Sequence, residues 1–188
     1  FTTYKGLTAN RIIRLNSDGS SDATNFVTGN GFDSDVNTIV IQTDGKILVG
    51  GAFTFYNGGA AASSNGIIRL NTDGTNDNGV GGTDSDTGDT NFNIGTGFST
   101  TTVVNVIAVE SNGQIIIGGN FTAFNSTNPA PTRIIALTSS GAVDSSFSYG
   151  AGLTTSAPIA IAVQDDGRVL VGGSFSTYKG TTVNRIIR

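Results

Sequence analysis

The feature that most constrains this fold is an internal repeat. A short aromatic motif recurs four times, at steps of 52, 68 and 54 residues, starting at Phe1, Phe53, Phe121 and Phe175. Each copy precedes a segment with two consecutive isoleucines, and these segments are residues 11–15, 66–70, 133–137 and 185–188. Repeats of this length stack so that each unit covers apolar surface of its neighbour. We therefore predict one repeat region over 1–188, with units approximately at 1–52, 53–120 and 121–174, and with 175–188 starting a further unit.

Each unit closes with two apolar runs joined by a turn dipeptide. The dipeptides are Asp44-Gly45, Asn112-Gly113 and Asp166-Gly167. Such dipeptides between apolar runs predict β-hairpins, and we expect type I′ turns with positive φ at both central residues. The second run of each hairpin ends in a glycine pair, which predicts a strand end where backbones approach closely or a bulge forms. These pairs are Gly50-Gly51, Gly118-Gly119 and Gly172-Gly173.

Composition and apolar patterning predict an all-β chain. Thirteen of the fourteen acidic residues are Asp, and 27 of 188 residues are Gly, a balance that favours tight turns over helices. The runs at 47–49 and 115–117 are apolar on both strand faces, which predicts sheets covered on both sides. Without helices, the covering layers must be other sheets, as in tandem β-propeller-type blades. We expect three clear strands in each unit and a weaker fourth near Phe26, Phe92 or Phe147.

The number of repeats bears on how such a fold closes. Three units are fewer than the roughly four to eight blades of a closed propeller, so we expect self-association or continuation of the same chain in a larger propeller or array. Residues 1–14 and 175–188 are identical at eleven of fourteen positions, which suggests a higher-order period of 174 residues. The chain starts at Phe1 and contains no Met, so we expect it to be a processed product or an excerpt.

Charge and residue inventory argue against several function classes. A net charge of −4, with only ten Lys and Arg, disfavours a nucleic-acid partner. The sequence contains no run of eighteen apolar residues, so we predict no membrane insertion. The chain has no His and no Cys, so it has neither an imidazole base nor a thiol nucleophile. We therefore predict no enzymatic activity and no catalytic residues.

The repeat also carries a family resemblance. The stretch from Asp44 to Phe53, the following Tyr56-Asn-Gly58, and the stretch from Arg11 to Gly19 resemble the delta-60 repeat family, and the likeness extends over essentially the whole chain. The resemblance implies a β-propeller-like fold found in large secreted or surface proteins of bacteria and in phage virion proteins, with no catalytic residues to transfer. The second unit departs from the pattern by an insertion around Asn78–Asp89.

Two groups of side chains are candidate binding sites. Asp77, Asp84, Asp86 and Asp89 form an acidic cluster that could hold a divalent cation such as calcium, although a solvated glycine-rich loop explains it more simply. No other cofactor is predicted. Four aromatic pairs could form a sugar-stacking ladder, but recurrence at one phase of the repeat favours core packing; the pairs are Phe1/Tyr4, Phe53/Tyr56, Phe121/Phe124 and Phe175/Tyr178. We expect Arg11, Arg14, Arg69 and Arg133 to pair with turn carboxylates or carbonyls.

These observations favour a non-catalytic extracellular scaffold, structural or adhesive, of the cell-surface appendage or virion fibre type. Its blades would pack through Ile, Val and Phe faces and leave variable loops rich in Thr, Ser and Asn. The alternative is a dedicated binding module that takes a surface glycan or a cell-surface protein through the blade loops. Either function predicts an extracellular, cell-surface or virion-surface location.

Overall fold

A computed structural model describes residues 1–58, 65–77, 91–99, 102–125 and 131–188. Within these ranges the chain forms fourteen strands and no helix, which confirms the all-β prediction. The strands are β1 (Thr3–Tyr4), β2 (Leu7–Thr8), β3 (Val36–Ile41), β4 (Ile47–Gly51), β5 (Ile67–Leu70), β6 (Val103–Val109), β7 (Ile115–Asn120), β8 (Ile134–Leu137), β9 (Leu153–Thr154), β10 (Pro158–Val163), β11 (Val169–Gly173), β12 (Thr177–Tyr178), β13 (Thr181–Thr182) and β14 (Ile186–Ile187).

Three antiparallel three-stranded sheets repeat along the chain. The first sheet has the order β3-β4-β5, the second β6-β7-β8 and the third β10-β11-β14. In each sheet a hairpin supplies two strands, and the isoleucine segment after the next aromatic motif supplies the third. Each sheet therefore joins the end of one sequence unit to the start of the next, so sheets and sequence units differ in phase. Smaller pairings join β1 to β2 and form the sheet β13-β12-β9.

The three predicted hairpins are present, but their turns are not type I′. The Gly45 N–H donates to the Gln42 carbonyl at 2.9 Å, and the Gln42 N–H donates to the Lys46 carbonyl at 2.8 Å. Gly45 has a φ of 85°, whereas Asp44 does not have a positive φ. The Asp44 carboxylate instead accepts the Lys46 N–H at 3.0 Å, which holds Asp44 in a right-handed turn. The connection is thus a type I turn followed by a glycine bulge, and the same pair of backbone bonds recurs at 110–114 and 164–168.

The predicted fourth strand is wrong in all three places. Phe26, Phe92 and Phe147 lie outside strands. After the isoleucine segment the chain turns back and makes one isolated bridge, at Leu15–Ser21, Leu70–Asn76 or Leu137–Val143. After the Leu15–Ser21 bridge the pairing stops because the backbone turns again, and the Phe26 N–H bonds the Asp22 carbonyl at 3.0 Å.

The central strands of the first two sheets, β4 and β7, are buried on both faces, as predicted. Leu48 and Ile67 belong to an apolar cluster shared with the second and third sheets, while Ile47, Val49 and Ile68 belong to a separate cluster around the first. All three isoleucines from Ile115 to Ile117 are fully buried in β7. The sheets stack face to face, β3 and β4 against β6, and β6 and β7 against β10, which is the arrangement of tandem propeller blades.

Within the described ranges, no helix has the length and apolar character needed to cross a membrane.

Candidate functional site

The contact between successive sheets is built on the first glycine of each pair. A Cβ placed on Gly50 would lie 2.6 Å from Val104 Cγ1 and 2.9 Å from Ile107 Cδ1, both in the next sheet. A Cβ on Gly118 would lie 2.5 Å from Pro158 Cγ and 3.1 Å from Ile161 Cδ1. These glycines therefore form notches that receive the inner strand of the following sheet. Gly172, at the same position in the third sheet, would have Ala160 Cβ at 3.7 Å as its nearest neighbour.

A bulged asparagine adds a hydrogen bond to each of these contacts. The ladder is irregular between Val36 and Thr38 and again between Val104 and Val106, which leaves Asn37 and Asn105 at equivalent bulges. Asn37 Nδ2 donates to the Val104 carbonyl at 3.0 Å, and Asn105 Nδ2 donates to the Pro158 carbonyl at 3.1 Å. Both interfaces between the three sheets thus contain the same polar contact. Ile159 takes this position in the third sheet and is exposed.

Arginines of the isoleucine segments make a third repeated contact. Arg14 Nη1 donates to the Thr72 carbonyl at 2.6 Å, and Arg69 Nη1 donates to the Ser139 carbonyl at 2.7 Å. Each arginine also pairs with an Asp eight residues later, Arg14 with Asp22 and Arg69 with Asp77. These pairings agree with the interpretation of the arginines as structural.

The pair around Asp77 is a buried charge network. Asp77 accepts hydrogen bonds from Lys46 and Arg69, and all three side chains are buried. Lys46 Nζ also donates to Asn71 Oδ1 at 3.2 Å. At the equivalent place in the second sheet, neutral Gln114 donates to Asp144 Oδ2 at 2.5 Å. The Ser146 hydroxyl, the Gln114 amide and the Ser146 N–H hold the pKa of Asp144 below its usual value.

The proposed metal ligands divide between two situations. Asp84, Asp86 and Asp89 lie outside the described residues, so their arrangement is untested. Asp77 lies in the core between two cations rather than in an open loop. In the part of the chain that the structure describes, no three His, Cys, Asp or Glu side chains come together in a way that could hold a metal ion.

The aromatic pairs of the second and third motifs lie in the core, whereas Phe1 of the first motif is exposed. Phe53, Tyr56, Phe121 and Phe124 are all buried. The Phe32 ring centroid lies 4.3 Å from that of Phe53 and 4.7 Å from that of Tyr56, and Phe98 repeats this cluster with Phe121 and Phe124. Burial, together with the nearby Asp73 charge, raises the pKa of Tyr56, whose hydroxyl donates to the Gly74 carbonyl at 2.6 Å. Rings packed in this way have no open face for a sugar.

A surface cleft of about 390 Å³ lies beside the first of these clusters. Three chain segments line it, and their residues are Asn10, Arg11, Asn30, Gly31, Phe32, Asp33, Phe55 and Gly58. Arg11 and Asp33 supply one positive and one negative charge, and Phe55 supplies an aromatic ring that is 38% exposed. The cleft therefore combines an apolar surface with one positively charged and one negatively charged side chain.

Side-chain hydrogen bonds fix the walls of this cleft. Asn10 Nδ2 donates to the Asn30 carbonyl at 2.8 Å, and Arg11 Nη1 donates to the Phe32 carbonyl at 2.9 Å. Asp33 Oδ1 accepts the N–H groups of Thr54 and Phe55, both at 2.9 Å, and Asp33 Oδ2 accepts the Thr54 hydroxyl at 2.6 Å. Partial burial disfavours the charged form of Asp33, but these bonds outweigh it and lower the pKa of the carboxyl.

Sequence reasoning missed Phe55, Asp33 and the bulged asparagines. Phe55 is hard to single out in the sequence because it lies inside the repeated motif, between Phe53 and Tyr56. A comparison of repeats offers a way to find it, since the equivalent residues are Thr3, Ala123 and Thr177. The bulged asparagines could not be found from turn residues, because the sequence does not mark where a ladder shifts register.

A family model described as "Domain of unknown function (DUF5122) beta-propeller" matches residues 1–24, 42–79, 110–147 and 164–188. No curated protein and no solved structure matches the chain.

Proposed function

This chain belongs to the DUF5122 β-propeller family. We propose that it is a non-catalytic extracellular scaffold with a structural or adhesive role. The finer expectations go with this proposal: a delta-60 repeat protein of the secreted, cell-surface or virion type. The family description assigns no function, so the support comes from the way the sheets pack.

The observation that carries the proposal is the complementarity of the two outer sheet faces. Ile107 and Ile161 each fill a glycine notch in the preceding sheet. Ile39 is the equivalent residue of the first sheet, and it is 51% exposed. Gly172 is the equivalent notch of the third sheet, and the atom nearest to a Cβ placed on it is Ala160 Cβ of its own sheet, at 3.7 Å. The chain thus presents both apolar halves of a contact that it already makes twice internally, with exposed Ile159 in place of the bulged asparagine.

A scaffold of this kind grows by repeating that contact. We propose that the Ile39 face of one copy, or of further units of the same chain, meets the Gly172 face of another. Burial of Ile39 and neighbouring Ile41, which is 71% exposed, would supply the apolar driving force. Open stacking would give a filament, and closure would give a ring.

The test is the molar mass of the 188-residue chain in solution, measured by light scattering over a concentration series. We expect mass to rise with concentration, and Ile39→Asp to abolish the rise by placing a charge in the contact. Val27→Asp is the matched control, because Val27 is similarly exposed, at 56%, but lies outside the sheets. A wild-type chain that stays monomeric at its solubility limit would overturn self-association.

A second candidate function is a binding module for a surface glycan or a cell-surface protein. The cleft beside Phe55 favours it, because a shallow depression with a partly exposed ring and mixed polar groups is a common form of binding site. The two functions are compatible, since the cleft is distinct from the Ile39 and Gly172 faces.

A further inference from the structure

The cleft between Arg11, Asp33 and Phe55 is the feature that the fold itself leaves unexplained. The core aromatics, the notches at Gly50 and Gly118 and the buried charges each have a packing partner. Phe55 instead exposes part of a large apolar ring at a position where the other repeats carry Thr3, Ala123 and Thr177. Small side chains satisfy the fold at that position, so the ring has a role beyond packing.

The carboxylate beside the ring is also absent from the equivalent positions of the other repeats. Phe32, Phe98 and Leu153 occupy equivalent places, each paired with the last aromatic residue of its motif. The residue that follows is Asp33 in the first case, but Ser99 and Thr154 in the others. Among the described residues, this cleft alone therefore has a carboxylate and an aromatic ring at these two positions.

The geometry points to a saccharide site, and we propose that this cleft binds a neutral sugar unit of a surface polysaccharide. This inference rests on the second candidate function and not on the scaffold role. Sugars present a C–H face that packs on an aromatic ring and hydroxyl groups that pair with planar polar side chains. Phe55 offers the ring, Asp33 accepts hydrogen bonds, and the Arg11 guanidinium donates them.

Charge and size narrow the ligand class. Among the described lining residues, Arg11 is the one cation and Asp33 the one anion, so these residues provide no net charge to attract a phosphate or a carboxylate. A volume of about 390 Å³ lies near the lower end of the range for small-molecule sites, roughly 300–1,000 Å³, which suits one or two sugar rings. The walls are already fixed by hydrogen bonds, so little ordering is needed on binding.

The experiment is binding of the intact chain to an array of neutral and acidic oligosaccharides, followed by titration calorimetry with the best neutral hit. We expect Phe55→Thr to weaken that binding by about tenfold or more, because it removes the ring and restores the residue found at positions 3 and 177. Asp33→Ser, which restores the residue at position 99, should weaken it similarly. Circular dichroism and the melting temperature show whether each variant remains folded.

The matched control is Phe1→Thr, because Phe1 is an exposed aromatic residue outside the cleft lining. It should bind as the wild type does. The proposal is overturned if no neutral oligosaccharide binds, if acidic glycans bind in preference, or if Phe55→Thr binds normally. The assembly-deficient Ile39→Asp chain separates the two functions: unchanged glycan binding in it supports an independent site, and lost binding would refute this site's independence from assembly.

Discussion

At the scale of single residues, the glycine notches show that equivalent positions should differ in whether they tolerate an added methyl group. Gly118 and Gly172 occupy equivalent places, and neither has a positive φ, so alanine is compatible with the backbone of both. Gly118→Ala should lower the free energy of unfolding by about 1–3 kcal/mol, because its methyl group overlaps Pro158 of the next sheet. Gly172→Ala should cost little. Chemical denaturation measures both, and equal losses would contradict a notch that serves the sheet interface.

The buried network around Asp77 gives a second contrast between equivalent residues. Asp77→Ala should lower the free energy of unfolding by about 3–5 kcal/mol, because it leaves Lys46 and Arg69 in the core without that carboxylate. Asp22→Ala removes the equivalent partner of Arg14, a half-exposed pair, and should have a much smaller effect. Urea unfolding of the two variants at pH 7 tests this, and similar losses would argue against a buried role for Asp77.

At the scale of strands and turns, the sequence predicts what local chemistry determines. Asp44-Gly45 marks a hairpin because one glycine and one short acidic side chain stabilise the turn whatever surrounds it. The turn type was mispredicted because the Lys46 N–H donates to the Asp44 carboxylate. This bond favours the type I turn with a glycine bulge over the type I′ turn. The fourth strand was mispredicted because Phe26 and Phe92 resemble strand residues but are buried from turns and loops.

The hydroxyl of Tyr56 fixes one turn to the aromatic cluster. It donates to the Gly74 carbonyl at 2.6 Å in a buried setting. Tyr56→Phe should lower the free energy of unfolding by about 1 kcal/mol, since it removes one hydrogen bond while keeping the ring. Phe124 occupies the equivalent position, so the ring alone supports the fold there. Thermal denaturation checks the loss, and Phe124→Leu should cost more than Tyr56→Phe because it removes ring packing.

At the scale of the whole molecule, pH should act through carboxylates alone. The chain has no His and no Cys, so we expect stability to be nearly constant from about pH 5 to 8. Hydrogen bonds lower the folded-state pKa of Asp18, Asp22, Asp33 and Asp144 below 3.8. The stability that they contribute is therefore complete above pH 3.8 and is lost as the pH falls through their folded-state values.

Denaturant midpoints measured from pH 8 to pH 2 test this sign. Asp144→Asn should be less stable than the wild type at pH 7, and the difference should shrink as the pH falls through the folded-state pKa of Asp144 and the wild-type carboxyl becomes neutral. A difference that stays constant with pH would show that Asp144 acts through shape and not through charge.

The candidate cleft could not be predicted from sequence because its parts are not local. Arg11, Asp33 and Phe55 come from three segments, and contacts such as the bridge between Phe32 and Tyr56 bring them together. The repeat pattern identifies core residues because they recur in each unit. Asp33 and Phe55 do not recur, so the pattern does not identify them. Stacked blades were predictable because apolar runs on both faces of a strand require two covers.

That requirement gives the most direct test of the architecture. Ile116 lies in the central strand of the middle sheet and is fully buried, so its side chain has no route to water. Ile116→Asp would place a charge there without a partner, and we expect a loss of more than about 4 kcal/mol, enough to unfold the chain at room temperature. Val27→Asp introduces the same charge at an exposed apolar position and should change stability little. Far-ultraviolet circular dichroism with urea unfolding compares them. If Ile116→Asp remained folded with near wild-type stability, the sheets could not be shielding one another.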